Sequence, residues 1–184
     1  LAYYFGTRLT DRAGVLRAAE TPGPLEGGFR VNSAEPARIF VRALRVDTRI
    51  VTTDSPAELG RGFDAELGLS YLDLTPDGGR AELKIHDKLL QPWGIVHGGV
   101  YCSIVESLAS VSGHIWLAEN GGGTVVGVNN NTDFLRAIGS GTVTAVSTPI
   151  HRGRRQQLWL ITITDENDRL VARGQVRLQN IPPE

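Results

Sequence analysis

Hydrophobic and polar positions fall into a regular order from Ser55 onward. Ser55-Pro-Ala-Glu58 reads as an N-cap with proline at the first helical position and an acid at the third, which predicts a short helix from Leu59 to about Ala65. Leu67–Leu74 alternates as a strand, Thr75-Pro-Asp-Gly-Gly79 is a turn in which proline presets φ, and Ala81–His86 alternates again to complete a hairpin. Beyond an irregular approach at Leu89–Gly94, the apolar residues Val100, Ile104, Leu108, Val111, Ile115 and Trp116 recur at helical spacing. They predict a long helix from about Gly98 to Glu119, stopped by Asn120-Gly-Gly-Gly123. Four strand-like runs follow: Thr124–Thr132, Gly141–Thr148, Gln157–Thr164 and Leu170–Leu178, the last two joined by a turn at Asp165–Asp168.

A hairpin, one long helix and then a run of strands imply the α+β class, with an antiparallel sheet of five to six strands and the helix packed across one of its faces. The other sheet face or edge then needs cover, which points to a dimer.

Residues 1–55 differ from the rest. They hold Arg8, Arg12, Arg17, Arg30, Arg38, Arg42, Arg45 and Arg49 and no lysine, with prolines and glycines clustered at Thr21–Gly28. The chain divides accordingly into a poorly ordered or non-native extension at 1–55 and a folded domain at 56–184. Arginine-rich termini also mark organelle transit peptides, but Asp11, Glu20, Glu26 and Glu35 interrupt this one. The chain of 184 residues suits one domain, its 41% hydrophobic content supports a core, and its net charge of −1 gives no pull toward nucleic acid or acidic membranes. One cysteine, Cys102, fits a reducing compartment, and no apolar run approaches the roughly 20 residues of a membrane span. The expectation is a cytoplasmic protein that binds neither nucleic acid nor membrane.

Chemistry concentrates at Gln91–Ser110. A His97-Gly98-Gly99 turn opens the long helix, where unpaired N–H groups and partial positive charge can hold an oxyanion. Glu106 is the only Asp, Glu, Lys or Arg between Gly94 and Ala118. Its helical neighbours Cys102, Ser110 and Gly113 are small and weakly polar, unlike a solvated face. A lone carboxylate in such surroundings is costly unless it has a role. Together these features point to chemistry on a carbonyl: Gly98 polarises its oxygen, Glu106 attacks it or acts as general base on water, and Ser110 and Gln91 orient the groups. His97 is either a base or an orienting residue at the turn. His86, His97 and Cys102 sit on different elements, so no metal site is expected. His151-Arg152-Gly153-Arg154-Arg155 lies between two strands, and Arg152, Arg154 and Arg155 suit phosphate recognition.

Val96-His-Gly-Gly-Val100 followed by Glu106 resembles the hotdog-fold acyl-CoA thioesterases, most closely the branch of the phenylacetate-pathway and Arthrobacter-type 4-hydroxybenzoyl-CoA enzymes. The resemblance covers about Phe63 to Asn180. It implies a long central helix wrapped by a curved antiparallel sheet and a dimer or dimer of dimers with sites shared between subunits. It also implies Gln91, Gly98, Glu106 and Ser110 in the family's catalytic positions, and Arg152, Arg154 and Arg155 near the CoA phosphates. The expected reaction is hydrolysis of an acyl-CoA thioester to free acid and CoA, with aromatic groups such as 1,4-dihydroxy-2-naphthoyl or hydroxybenzoyl preferred by resemblance. CoA is part of the substrate, and no separate cofactor is implied. A hotdog hydratase or dehydratase, which would rely on His97, and a non-catalytic acyl-CoA-binding domain are the alternatives.

Overall fold

The sheet has six strands, all antiparallel, in the order β1-β2-β4-β5-β6-β3. The structure, a computed structural model, describes Leu59 and residues 61–183; the extension at 1–55 and the cap at Ser55–Glu58 lie outside them. The elements are α1 (Phe63–Leu67), β1 (Leu69–Thr75), β2 (Gly78–Lys84), α2 (Gly98–Glu119), β3 (Thr124–Phe134), β4 (Thr142–Arg152), β5 (Gln156–Asp165) and β6 (Leu170–Ile181), with a 3-10 turn at Asp87–Leu89.

Most boundaries follow the periodicity. The first helix is the exception. Leu59 is itself helical, but Gly62 at φ 58 separates it from the helix Phe63–Leu67, which Gly68 at φ 81 closes. The hairpin turn is also tighter than expected. Thr75 pairs with Gly78, leaving Pro76-Asp77 as the two loop residues. The long helix spans Gly98–Glu119 as the spacing predicts, and the glycines after Asn120 end it, with the Gly122 N–H returning to the Leu117 carbonyl.

Helix α2 touches every strand. Its fully buried face carries Ile104, Val105, Leu108, Ala109 and Ser112 against Leu83, Val143, Trp159, Ile161, Ile163, Val176 and Leu178 of the sheet. Each large side chain buried there contributes roughly 1.5–3 kcal/mol. Val111, Ile115 and Trp116, assigned to the core stripe by spacing, are only half-buried. The sheet contacts a narrower arc of the helix than the apolar residues span. Cys102, Ser103, Glu106, Ser107 and Ser110 are half-buried as well.

Register shifts at Tyr71/Asp73, Gly127/Asn129 and Pro149/His151 bend the strands around the helix. A buried polar network fixes one end of the sheet. The Gln157 amide donates to the Gly113 carbonyl (3.1 Å) and to Asn180 Oδ1 (2.8 Å), and it accepts from the Trp159 indole (2.8 Å). At the other end, Asp64 of α1 accepts from the Tyr71 and Ser107 hydroxyls, both at 2.6 Å, tying the short helix to β1 and α2. Burial and that carboxylate push the Tyr71 phenol well above its usual range.

Candidate active site

His97 caps α2. Its Nδ1 accepts from the Gly99 N–H at 2.9 Å, and its backbone carbonyl accepts from Val100 at 2.9 Å. In the neutral ring the remaining nitrogen, Nε2, then carries the proton. The segment before it is held by the His97 N–H on the Leu89 carbonyl, the Val96 N–H on the Ile138 carbonyl, and the Gln91 N–H on the Ile95 carbonyl. These bonds fold Gln91–Gly94 into a turn beside the helix start and leave the Gln91 side chain half-buried. The cap consumes the Gly99 N–H. Among the described residues no acceptor takes the N–H of Gly98. Gly98 also packs against the Phe134 ring, where an added Cβ would come within 2.8 Å of Cε2. The chain therefore approaches β3 closely at the point where the helix dipole is most positive.

Glu106 lies two turns further along α2 and is half-buried. Its Oε2 accepts from Asn130 Nδ2 at 3.0 Å, and the same amide nitrogen donates to the Cys102 carbonyl at 3.1 Å. Thr132 Oγ1 donates to Asn130 Oδ1 at 2.7 Å. The partner of the Glu106 carboxylate is thus an amide on β3 rather than Ser110, which sits half-buried one turn beyond it. Periodicity did not single out Asn130 and Thr132, because strict alternation fails across the register shift at Gly127/Asn129. After that shift Asn130 and Thr132 turn inward while Asn129, Asn131 and Asp133 are exposed. The available signal was Asn129-Asn130-Asn131 itself, three residues in a row of a type that strands disfavour.

The arginine segment divides. Arg152 Nη1 donates to the Pro76 carbonyl and to Asp77 Oδ1, both at 2.8 Å, and its guanidinium stands 5.7 Å from the Trp116 ring. It pins the β1–β2 turn. Arg154 and Arg155 instead line an open cavity of about 690 Å³ with His151, Gly153, Gln156 and Gln179. Asn180 shapes that wall. Its Nδ2 donates to the Gly153 carbonyl (2.9 Å) and the Arg154 carbonyl (3.3 Å), and its N–H to the Arg155 carbonyl (2.9 Å). Two exposed guanidiniums on a loop fixed in this way suit an anionic ligand.

Among the described residues, no three or more His, Cys, Asp or Glu gather as a metal site. No helix there is long and apolar enough to cross a membrane.

The chain resembles known proteins. A protein of Mycobacterium tuberculosis (Rv1847), provisionally named an esterase, is 62% identical over 131 residues, which cover 70% of this chain and 94% of that one. Its structure superposes with a TM-score of 0.65, covering 66% and 98% of the two chains. The structure of a Haemophilus influenzae thioesterase, 33% identical, gives a TM-score of 0.65 over 71% of this chain and 92% of that one. The sequence pattern of the thioesterase superfamily matches residues 94–172, which include the capped helix start, Glu106, Asn130 and both arginines of the cavity. With its single long helix wrapped by a six-stranded antiparallel sheet, the chain belongs to the thioesterase superfamily and has the hotdog fold.

Proposed function

We propose that the protein hydrolyses an acyl-CoA thioester, with aromatic acyl groups preferred, to the free acid and CoA. The observation that carries this reading is the Glu106 carboxylate, held through Oε2 by Asn130 and without a hydrogen-bond partner at Oε1 among the described residues. In the reaction, Oε1 takes a proton from water as the water oxygen bonds to the thioester carbonyl carbon. The developing oxyanion lies at the free Gly98 N–H, and such a donor is worth about 2.7–4 kcal/mol in the transition state. Collapse breaks the C–S bond, and the proton passes from Glu106 to the departing CoA sulfur. Arg154 and Arg155 receive the CoA phosphates. Capping by His97 Nδ1 leaves that ring as a donor only, which favours hydrolysis over a dehydratase that would use it as base.

Eight residues of helix, about 12 Å, separate Gly98 from Glu106. One carbonyl cannot meet both in a single chain. Gly98 lies against Phe134 at one end of β3, and Glu106 lies against Gly127 near the other. Strand β3 is an edge strand with Val126, Val128 and Phe134 exposed. Antiparallel pairing of β3 with a second copy places the Gly98 end of one subunit beside Glu106 of the other. The working unit is therefore a homodimer with two sites, or a dimer of dimers.

Release of free thiol from a panel of aromatic and aliphatic acyl-CoAs tests the reading. Glu106→Gln is expected to lower kcat by about 10²–10⁴-fold. Turnover equal to the parent's would remove Glu106 from the reaction.

A further inference from the structure

We infer that Asn130 is a positioning residue that assigns different tasks to the two oxygens of Glu106, and that Thr132 fixes the amide in the one orientation able to do so. This rests on the reading of Glu106 as the base. The Asn130 amide has no freedom of assignment. Nδ2 faces two acceptors, Glu106 Oε2 at 3.0 Å and the Cys102 carbonyl at 3.1 Å, while Oδ1 faces the Thr132 hydroxyl at 2.7 Å. A flipped amide would set Oδ1 against a carboxylate and a carbonyl and strand the hydroxyl. Both amide protons and the amide oxygen are satisfied only in the observed orientation.

Glu106 Oε2 is consequently a held oxygen. Oε1 has no hydrogen-bond partner among the described residues and rests against Gly127, where any Cβ would overlap it. The β3 register shift at Gly127/Asn129 makes both contacts compatible. It lets Gly127, without a side chain, lie under Oε1, and it turns Asn130, three positions later, and Thr132, five positions later, toward the helix. The strand presents a cradle shaped to one carboxylate rotamer, with the reactive oxygen defined by which one the cradle leaves without a hydrogen bond.

Kinetics and crystallography of the full chain test this. Thr132→Val deletes the hydroxyl at constant shape and should lower kcat roughly tenfold with KM within about twofold of the parent. Thr132→Ser, which keeps the hydroxyl, should restore most of the loss. Asn130→Asp sets a second carboxylate against Oε2 and should move the acid limb of the kcat/KM profile up by about one pH unit or more. That shift reports that position 130 faces the carboxylate, and the loss and rescue at Thr132 report the positioning. In a crystal structure of Asn130→Leu, Glu106 should leave its observed rotamer. The inference falls if Thr132→Val and Asn130→Asp share the parent's kcat and pH profile while Glu106→Gln is impaired, or if Glu106 stays in place in Asn130→Leu. Equal turnover by Glu106→Gln and the parent would instead overturn the reading of Glu106, leaving the crystal structure to decide the positioning.

Discussion

The Glu106 carboxylate lies over the bare Cα of Gly127, so closely that a side chain at position 127 and the observed carboxylate rotamer cannot coexist. The sheet here reserves space for an acid on the helix. Gly127 is exposed and its φ is not positive, so the need is for close approach rather than for a special backbone conformation.

Gly127→Ala is therefore expected to displace Glu106 while leaving the core untouched. A shift of about 1 Å in a reacting group can cost 10²-fold. Thiol-release assays should show kcat reduced by about that factor, with the circular dichroism spectrum and oligomeric state of the parent. Full activity in Gly127→Ala would mean that the carboxylate works from another rotamer.

Arg154 and Arg155 line the cavity, and Arg152 is committed to Pro76 and Asp77. The double variant Arg154→Gln/Arg155→Gln should raise KM for CoA thioesters about tenfold or more, through the loss of both cations facing the phosphates. KM for the matching pantetheine thioesters, which lack the nucleotide, should not change. An equal rise for both substrates would place the CoA phosphates elsewhere.

Asp165 organises the β5–β6 turn. Its Oδ1 accepts from the Asn167 and Arg169 N–H groups at 2.9 and 3.1 Å, and its Oδ2 pairs with the Arg169 guanidinium at 2.7–2.8 Å. The Arg169 hydrogen bond, with these backbone donors, brings its carboxyl down to about 2 from the usual 3.8. Because the folded value is the lower one, the stabilisation is fully present above the unfolded value of 3.8 and is lost as pH falls toward about 2. Asp165→Asn should lower the unfolding midpoint at pH 7 and flatten its dependence between pH 4 and about 2, as read by thermal denaturation across that range. An unchanged pH slope would show that Arg169 does not hold the acid.

Much of the candidate site was legible because the chemistry is local. His97-Gly98-Gly99 at a helix start and a lone acid two turns on are features of one continuous segment, and helical geometry alone relates them. The hairpin, the glycine stop after Glu119 and the later strands were readable for the same reason: turn residues and short periods act over a few neighbours. Arg152 was grouped with Arg154 and Arg155 by adjacency. Only folding shows that its side chain crosses to the turn at Pro76-Asp77, about 75 residues away in sequence.

By itself the sequence determined the class of fold, the long helix with its cap and stop, and the acid that helix carries, since these follow from propensity and spacing within a segment. Tertiary structure decided which residues hold that acid. Asn130 and Gly127 reach Glu106, and Thr132 reaches Asn130, only because β3 pairs with β6 at the sheet edge and shifts register at Gly127/Asn129. A one-residue bulge exchanges the two faces of a strand, and such a shift is set by pairing with a distant partner rather than by the residues that undergo it.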